Sequence, residues 1–137
     1  MSLDKQEIDT RLAKFKKVLR ENKLPITPQK IAIFQALASS CSHPDIQEIY
    51  KLVKADFPNI SLATVYSNLK KFQTLSLLIE IHISGEQSRY DAKMERHSHA
   101  VDTASKCIYD IENDQNLLLP GELLGKTVKR VDIIYHI

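Results

Sequence analysis

Residues suited to holding a metal ion cluster around His97-Ser-His99. On a strand, side chains two apart share a face, so both imidazoles can reach one ion. Asp91 lies just upstream, and Asp110 follows on what reads as a neighbouring strand. Two surface histidines at this spacing also arise by chance, and the flanking aspartates give the pair its weight. Imidazoles and carboxylates without a thiolate suit Fe2+ or Mn2+ better than structural zinc or Cu+. Zn2+ can still bind such a set in vitro, because affinity alone does not exclude it. His82 and His136 stand among apolar neighbours on expected strands and read as structural or surface residues.

A second chemistry-bearing stretch runs from Ile60 to Phe72. Ser61 reads as the N-cap of a helix. Leu62, Val65, Leu69 and Phe72 recur at helical spacing as its inward stripe. Thr64, Ser67 and Asn68 lie on the outer face, where short hydrogen-bonding groups can read base edges. Lys70 and Lys71 further along suit phosphates. Tyr66 can pack on a thymine methyl or the backbone. The same pattern equally describes a surface helix with no DNA to read.

Several elements must position these groups. An amphipathic helix is expected over 4–22. A second, capped by Thr27 with Pro28 in its first turn, reaches about Ser40. His43-Pro44-Asp45 breaks the chain before a third helix, which closes at Phe57-Pro58-Asn59. After the fourth helix, Leu78–Ile83 and Ser88–Asp91 read as a hairpin turning at Gly85-Glu86. Helices followed by a hairpin match the winged helix-turn-helix. Beyond a polar stretch come strands near His99–Val101 and Cys107–Ile111, a short helix within Asn116–Leu124, and a strand over Val128–Ile137. The fold class is therefore α+β. A winged-helix DNA-binding domain spans 1–91, a hinge 92–96, and a small α/β dimerisation domain 97–137. A unit of about 40 residues buries too little core alone, so a homodimer is expected.

Charge follows this division. Residues 1–90 hold 13 Lys/Arg against 9 Asp/Glu, whereas 91–137 hold 6 against 8. The basic part suits a double-stranded DNA operator, although a solvated lysine face would look alike. No apolar run approaches the roughly 20 residues of a membrane span. The start mixes acids and bases without an apolar core, unlike a signal peptide. A cytoplasmic protein with no membrane partner is expected. Two cysteines, Cys41 and Cys107, without a Cys-x-x-Cys pair, argue against a disulfide scaffold.

In order, these pieces resemble the Fur family of metalloregulators. The resemblance is carried by Thr27-Pro-Gln-Lys30, His43-Pro, Phe57-Pro-Asn-Ile-Ser-Leu-Ala-Thr-Val-Tyr-Ser-Asn-Leu69, Ser88-Arg-Tyr-Asp91, His97-Ser-His99 and Ile108-Tyr-Asp110. It implies a dimeric repressor whose regulatory ion is held by His43, Asp91, His97, His99 and Asp110. His43 enters on the resemblance alone. Aspartates at 91 and 110, where iron-sensing members usually carry glutamates, resemble the peroxide-sensing PerR branch. In that branch bound iron promotes oxidation of ligand histidines, by position His43 and His97, and DNA is released. The alternative is an iron- or manganese-availability regulator of the same family without peroxide chemistry.

Three departures stand out. Relatives place a Cys-x-x-Cys after His-x-His, where this chain has Asp102 and Ser105, and a second such pair is absent. No structural zinc is therefore expected. Dimer contacts then fall to apolar residues, Leu117–Leu119, Leu123–Leu124 and the Val131–Ile137 strand. Arg96 and Ser98 stand where some members build an additional metal site. Ser67 occupies a variable position that influences operator choice. The chain carries no H-E-x-x-H or comparable catalytic signature, and the reading is a regulator, not an enzyme.

Overall fold

A computed structural model of the chain describes residues 4–40, 42–92, 97–112 and 120–137. The chain divides into two compact units, Met1–Met94 and Glu95–Ile137. Of the expected hinge only Ala92 is described. Cys41, Arg96 and Leu117–Leu119 also lie outside the described residues.

The first unit begins with α1 (Lys5–Glu21), α2 (Pro28–Ala38), α3 (Ile46–Asp56) and α4 (Leu62–Thr74). Side-chain caps set the helix starts. Asp4, Thr27 and Ser61 each accept from a backbone N–H of the first turn. Asp45 does the same within a full capping box, with the Glu48 carboxylate accepting from the Asp45 N–H at 3.1 Å. Pro28 occupies the first turn, where its missing N–H costs nothing. The core is built on three rings. Phe15 stacks on Phe34 with centroids 4.3 Å apart, and Phe72 meets both edge-on. These rings tie α1, α2 and α4 together, while Ile49 and Val53 bring in α3. Within α4, Val65, Leu69 and Phe72 are buried as expected. Leu62, expected inward, is exposed at the first position of the helix.

Strands β1 (Ile79–Ile81) and β2 (Arg89–Asp91) close the unit as an antiparallel wing, with Glu80 opposite Tyr90 and Ile79 opposite Asp91. Gly85 supplies the positive φ of the turn between them.

In the second unit, β3 (Ser98–Val101) lies between antiparallel β4 (Ile108–Ile111) and parallel β7 (Ile134–His136). A separate small hairpin pairs β5 (Glu122–Leu123) with β6 (Lys126–Thr127). The expected helix within Asn116–Leu124 is thus corrected over its described part. Leu124 and Gly125, both at positive φ, form a two-residue hairpin turn there. The strand expected from Val128 is likewise confined to Ile134–His136. No helix among the described residues is long and apolar enough to cross a membrane. Four helices ahead of small sheets make the fold α+β, a winged helix followed by a smaller β-rich unit.

Candidate metal centre and DNA-reading helix

Among the described residues, the first unit offers one histidine–aspartate pair. Asp91 ends β2, with its side chain buried. His43 lies in the loop between α2 and α3 at φ 54°, a conformation unusual for a residue with a Cβ. Hydrogen bonds from β2 pin this loop, including a long one of 3.5 Å from Arg89 Nη2 to the Ser42 carbonyl. Arg89 Nε donates to the His43 carbonyl oxygen at 2.6 Å, and the Tyr90 N–H donates to the Pro44 carbonyl at 3.0 Å. His43 Nε2 then stands 3.4 Å from Asp91 Oδ2. Residues far apart in sequence are thereby brought side by side. His43 is 5 % exposed and Asp91 7 %, a depth at which a carboxylate must be compensated.

The second unit offers three donors. His99 lies directly opposite Asp110 in the β3–β4 ladder. His97 immediately precedes β3, and its ring lies 4.5 Å from that of His99, centroid to centroid. The two imidazoles therefore share a face, as the alternation of a strand requires. His97 Nε2 and His99 Nε2 approach Asp110 Oδ1 at 3.4 and 3.5 Å.

These separations fit metal ligands. They exceed the usual hydrogen bond of about 2.7–3.2 Å. Donors bound at about 2.0–2.2 Å to one ion stand about 3–3.6 Å apart at adjacent positions. The donor set is imidazole and carboxylate throughout, which suits Fe2+ and Mn2+.

The turn between β3 and β4 is closed by its own first residue. Asp102 Oδ1 accepts from the N–H groups of Ala104 and Ser105 at 2.9 and 3.2 Å. Those two backbone donors hold the Asp102 carboxyl below its ordinary range. Cys107 is an exposed thiol at the end of this turn.

On α4, Ser61 caps Thr64 N–H at 3.1 Å, and its hydroxyl lies 2.9 Å from that of Thr64. Ser67 Oγ and Asn68 Nδ2 both donate to the Thr64 carbonyl, which orders this face. Tyr66 and Lys71 are exposed. Lys70, expected at a phosphate, is also paired with the wing. Its ammonium lies 3.1 Å from Glu80 Oε2 on β1 and 5.5 Å from the Tyr66 ring centroid. The hydrogen bond to Glu80 raises the Lys70 pKa. Burial alone would raise the Glu80 carboxyl, but hydrogen bonds from Lys70 and Ser88, with the Lys70 charge, hold it below the ordinary range. Glu80 and the anchoring role of Arg89 escaped the sequence reading. The Ser-Arg-Tyr-Asp run was the signal available for Arg89, whereas nothing in the spacing marks Glu80. His82 and His136 are exposed surface residues, as expected.

The chain is similar to known proteins over nearly its whole length. The model of the ferric uptake regulator family matches residues 21–133. The chain is 34% identical to a peroxide-responsive repressor PerR of Staphylococcus aureus, over 99% of this chain and 90% of that one. It is 35% identical to the Staphylococcus epidermidis PerR, over 99% and 89%. Among solved structures it is similar to a Campylobacter jejuni peroxide stress regulator. That match has a TM-score of 0.65 and 27% identity, and it covers 92% of this chain and 93% of the other. A Helicobacter pylori Fur structure shares the fold at a TM-score of 0.71 and 17% identity, over 100% and 94%. With a family match over most of its length and relatives above 30% identity across nearly all of it, the chain belongs to the ferric uptake regulator family.

Proposed function

We propose that this regulator is a metal-dependent, DNA-binding repressor that senses peroxide. The single observation that carries the reading is the pairing of aspartates, not glutamates, with histidines at 3.4–3.5 Å in each unit. Peroxide-responsive relatives that align over nearly the whole chain support it. His43, Asp91, His97, His99 and Asp110 together hold one Fe2+ or Mn2+ ion, with Zn2+ able to replace it in vitro and no structural zinc. An ion that binds the DNA-gripping arrangement more tightly than other arrangements shifts the population toward it. Fe2+ held by these residues would supply the redox chemistry that cleaves the peroxide O–O bond. One peroxide oxygen would enter a ring C–H bond of His43 or His97 and the other would leave as water, and the oxidised ring, a poorer ligand, would release the ion and the DNA.

Residues 1–91 form the DNA-binding domain, 92–96 the hinge and 97–137 the dimerisation domain. The protein acts in the cytoplasm as a homodimer on double-stranded DNA. Ser61, Thr64, Tyr66, Ser67 and Asn68 face the operator, and Lys71 its phosphates. Exposed Leu123, Leu124, Val131 and Ile137 leave apolar surface for a second copy.

The test uses a duplex recovered from a randomised pool by Mn2+-loaded protein. Binding with either Fe2+ or Mn2+ and loss after peroxide in the Fe2+ form only is expected. Unchanged binding of the Fe2+ form after peroxide would leave an iron- or manganese-availability regulator instead.

A further inference from the structure

The Lys70–Glu80 pair joins two elements on which DNA reading depends. Lys70 lies on α4, one turn beyond the expected base-reading residues, and Glu80 sits in the middle of β1. The Glu80 side chain is 8 % exposed, while that of Lys70 retains 43 %. A buried carboxylate is stable only with partners, and Lys70, Ser88 and the exposed His82 ring, 3.8 Å from the same oxygen, provide them. The bond therefore holds α4 at one position against the wing. The wing in turn holds the loop bearing His43. Glu80 faces Tyr90 across the strand pair, Tyr90 N–H bonds Pro44, and Arg89 bonds His43. Every link in this chain lies within the first unit.

We propose that Lys70 and Glu80 form a positioning latch that sets the DNA-reading helix against the wing sheet, and through β2 against the His43 loop. The inference rests on the DNA-binding reading of α4 but reassigns Lys70 from a phosphate contact to an internal tie. A phosphate contact and a latch differ in sign at Glu80. Replacing a carboxylate near the DNA face with a neutral amide removes repulsion and frees Lys70. Electrostatics alone would then raise affinity and steepen its salt dependence. A latch loses its anchor, and affinity for the specific sequence falls.

The experiment measures affinity and salt dependence for Mn2+-loaded wild type, E80Q, K70Q and K70Q/E80Q. The probes are the pool-selected duplex and a scrambled duplex of equal composition. The latch predicts that E80Q and K70Q each weaken binding to the selected duplex by about tenfold, with the salt slope unchanged. It also predicts that the double variant is no weaker than the weaker single variant. The double variant leaves no buried charge unpaired and, lacking the latch, should still bind the selected duplex more weakly than wild type, so it keeps the test decisive if a single variant unfolds. Tighter binding by E80Q, a steeper slope in that variant, or a K70Q slope reduced by about one unit on both duplexes overturns the latch. Failure of wild type to bind any selected duplex would instead contradict the DNA-binding reading itself.

Discussion

Arg89 donates from Nε to the carbonyl oxygen of His43 at 2.6 Å, and this bond fixes where the imidazole stands. The His43 backbone is in the left-handed region at φ 54°. A non-glycine residue there stores strain and persists only when its surroundings hold it. Arg89 lies two residues before Asp91 on the same strand, so one element sets both donors. Replacing Arg89 with Met should release the loop while leaving all five donor side chains in place. Mn2+ affinity is expected to fall about 10–100-fold, the usual cost of losing a group that orients a ligand. Calorimetric titration checks this, and unchanged affinity would show that Arg89 does not orient the site.

Lys71 is exposed on α4 beside the internally paired Lys70. Lys71→Gln should weaken binding to all duplexes alike and lower the salt slope by about one unit. A sequence-dependent loss would place Lys71 at a base edge.

The Lys70–Glu80 pair makes stability depend on pH in a defined direction. Glu80 titrates below its ordinary value of 4.5 when folded, so its contribution is present above 4.5 and fades as pH falls through the lower folded value. Lys70 titrates above its ordinary value of 10.5, so its contribution is present below 10.5 and fades as pH rises through the higher folded value. The stability difference between wild type and K70Q/E80Q should shrink in strong acid, as pH falls through the folded Glu80 value. Urea unfolding at falling pH measures it. A difference that grows in acid would contradict the direction assigned to Glu80.

Phe72 joins α4 to the aromatic core through edge contacts with Phe15 and Phe34. Phe72→Ala should cost about 3–5 kcal/mol, because the cavity opens where three helices meet. Chemical unfolding monitored by circular dichroism reports it. A loss below about 1 kcal/mol would mean that the neighbouring helices collapse into the space.

The sequence made the first unit more legible than the second. Thr27-Pro28 and Ser61 carry capping chemistry in the residues themselves, and the buried stripe of α4 follows from period alone. His97, His99 and Asp110 were similarly readable, because two-residue alternation and a neighbouring strand put them on one face. His43 was not, since its neighbour Asp91 is reached only through the Arg89 and Tyr90 bonds to its loop. The Lys70–Glu80 pair was hidden for the same reason, as the turn between helix and wing decides who meets whom. Leu123-Leu124 suggested a helix by composition, yet positive φ at Leu124 and Gly125 turns that stretch into a hairpin. Short apolar pairs beside a glycine carry too little periodicity to decide between the two.

Peptide mapping by mass spectrometry tests the central claim most directly. The Fe2+-loaded and Mn2+-loaded proteins are exposed to equal hydrogen peroxide and digested. The account predicts one added oxygen on His43 or His97 in the Fe2+ sample, rising in step with DNA release, and none in the Mn2+ sample. An Fe2+ protein that releases DNA after peroxide with both histidines unmodified would contradict it.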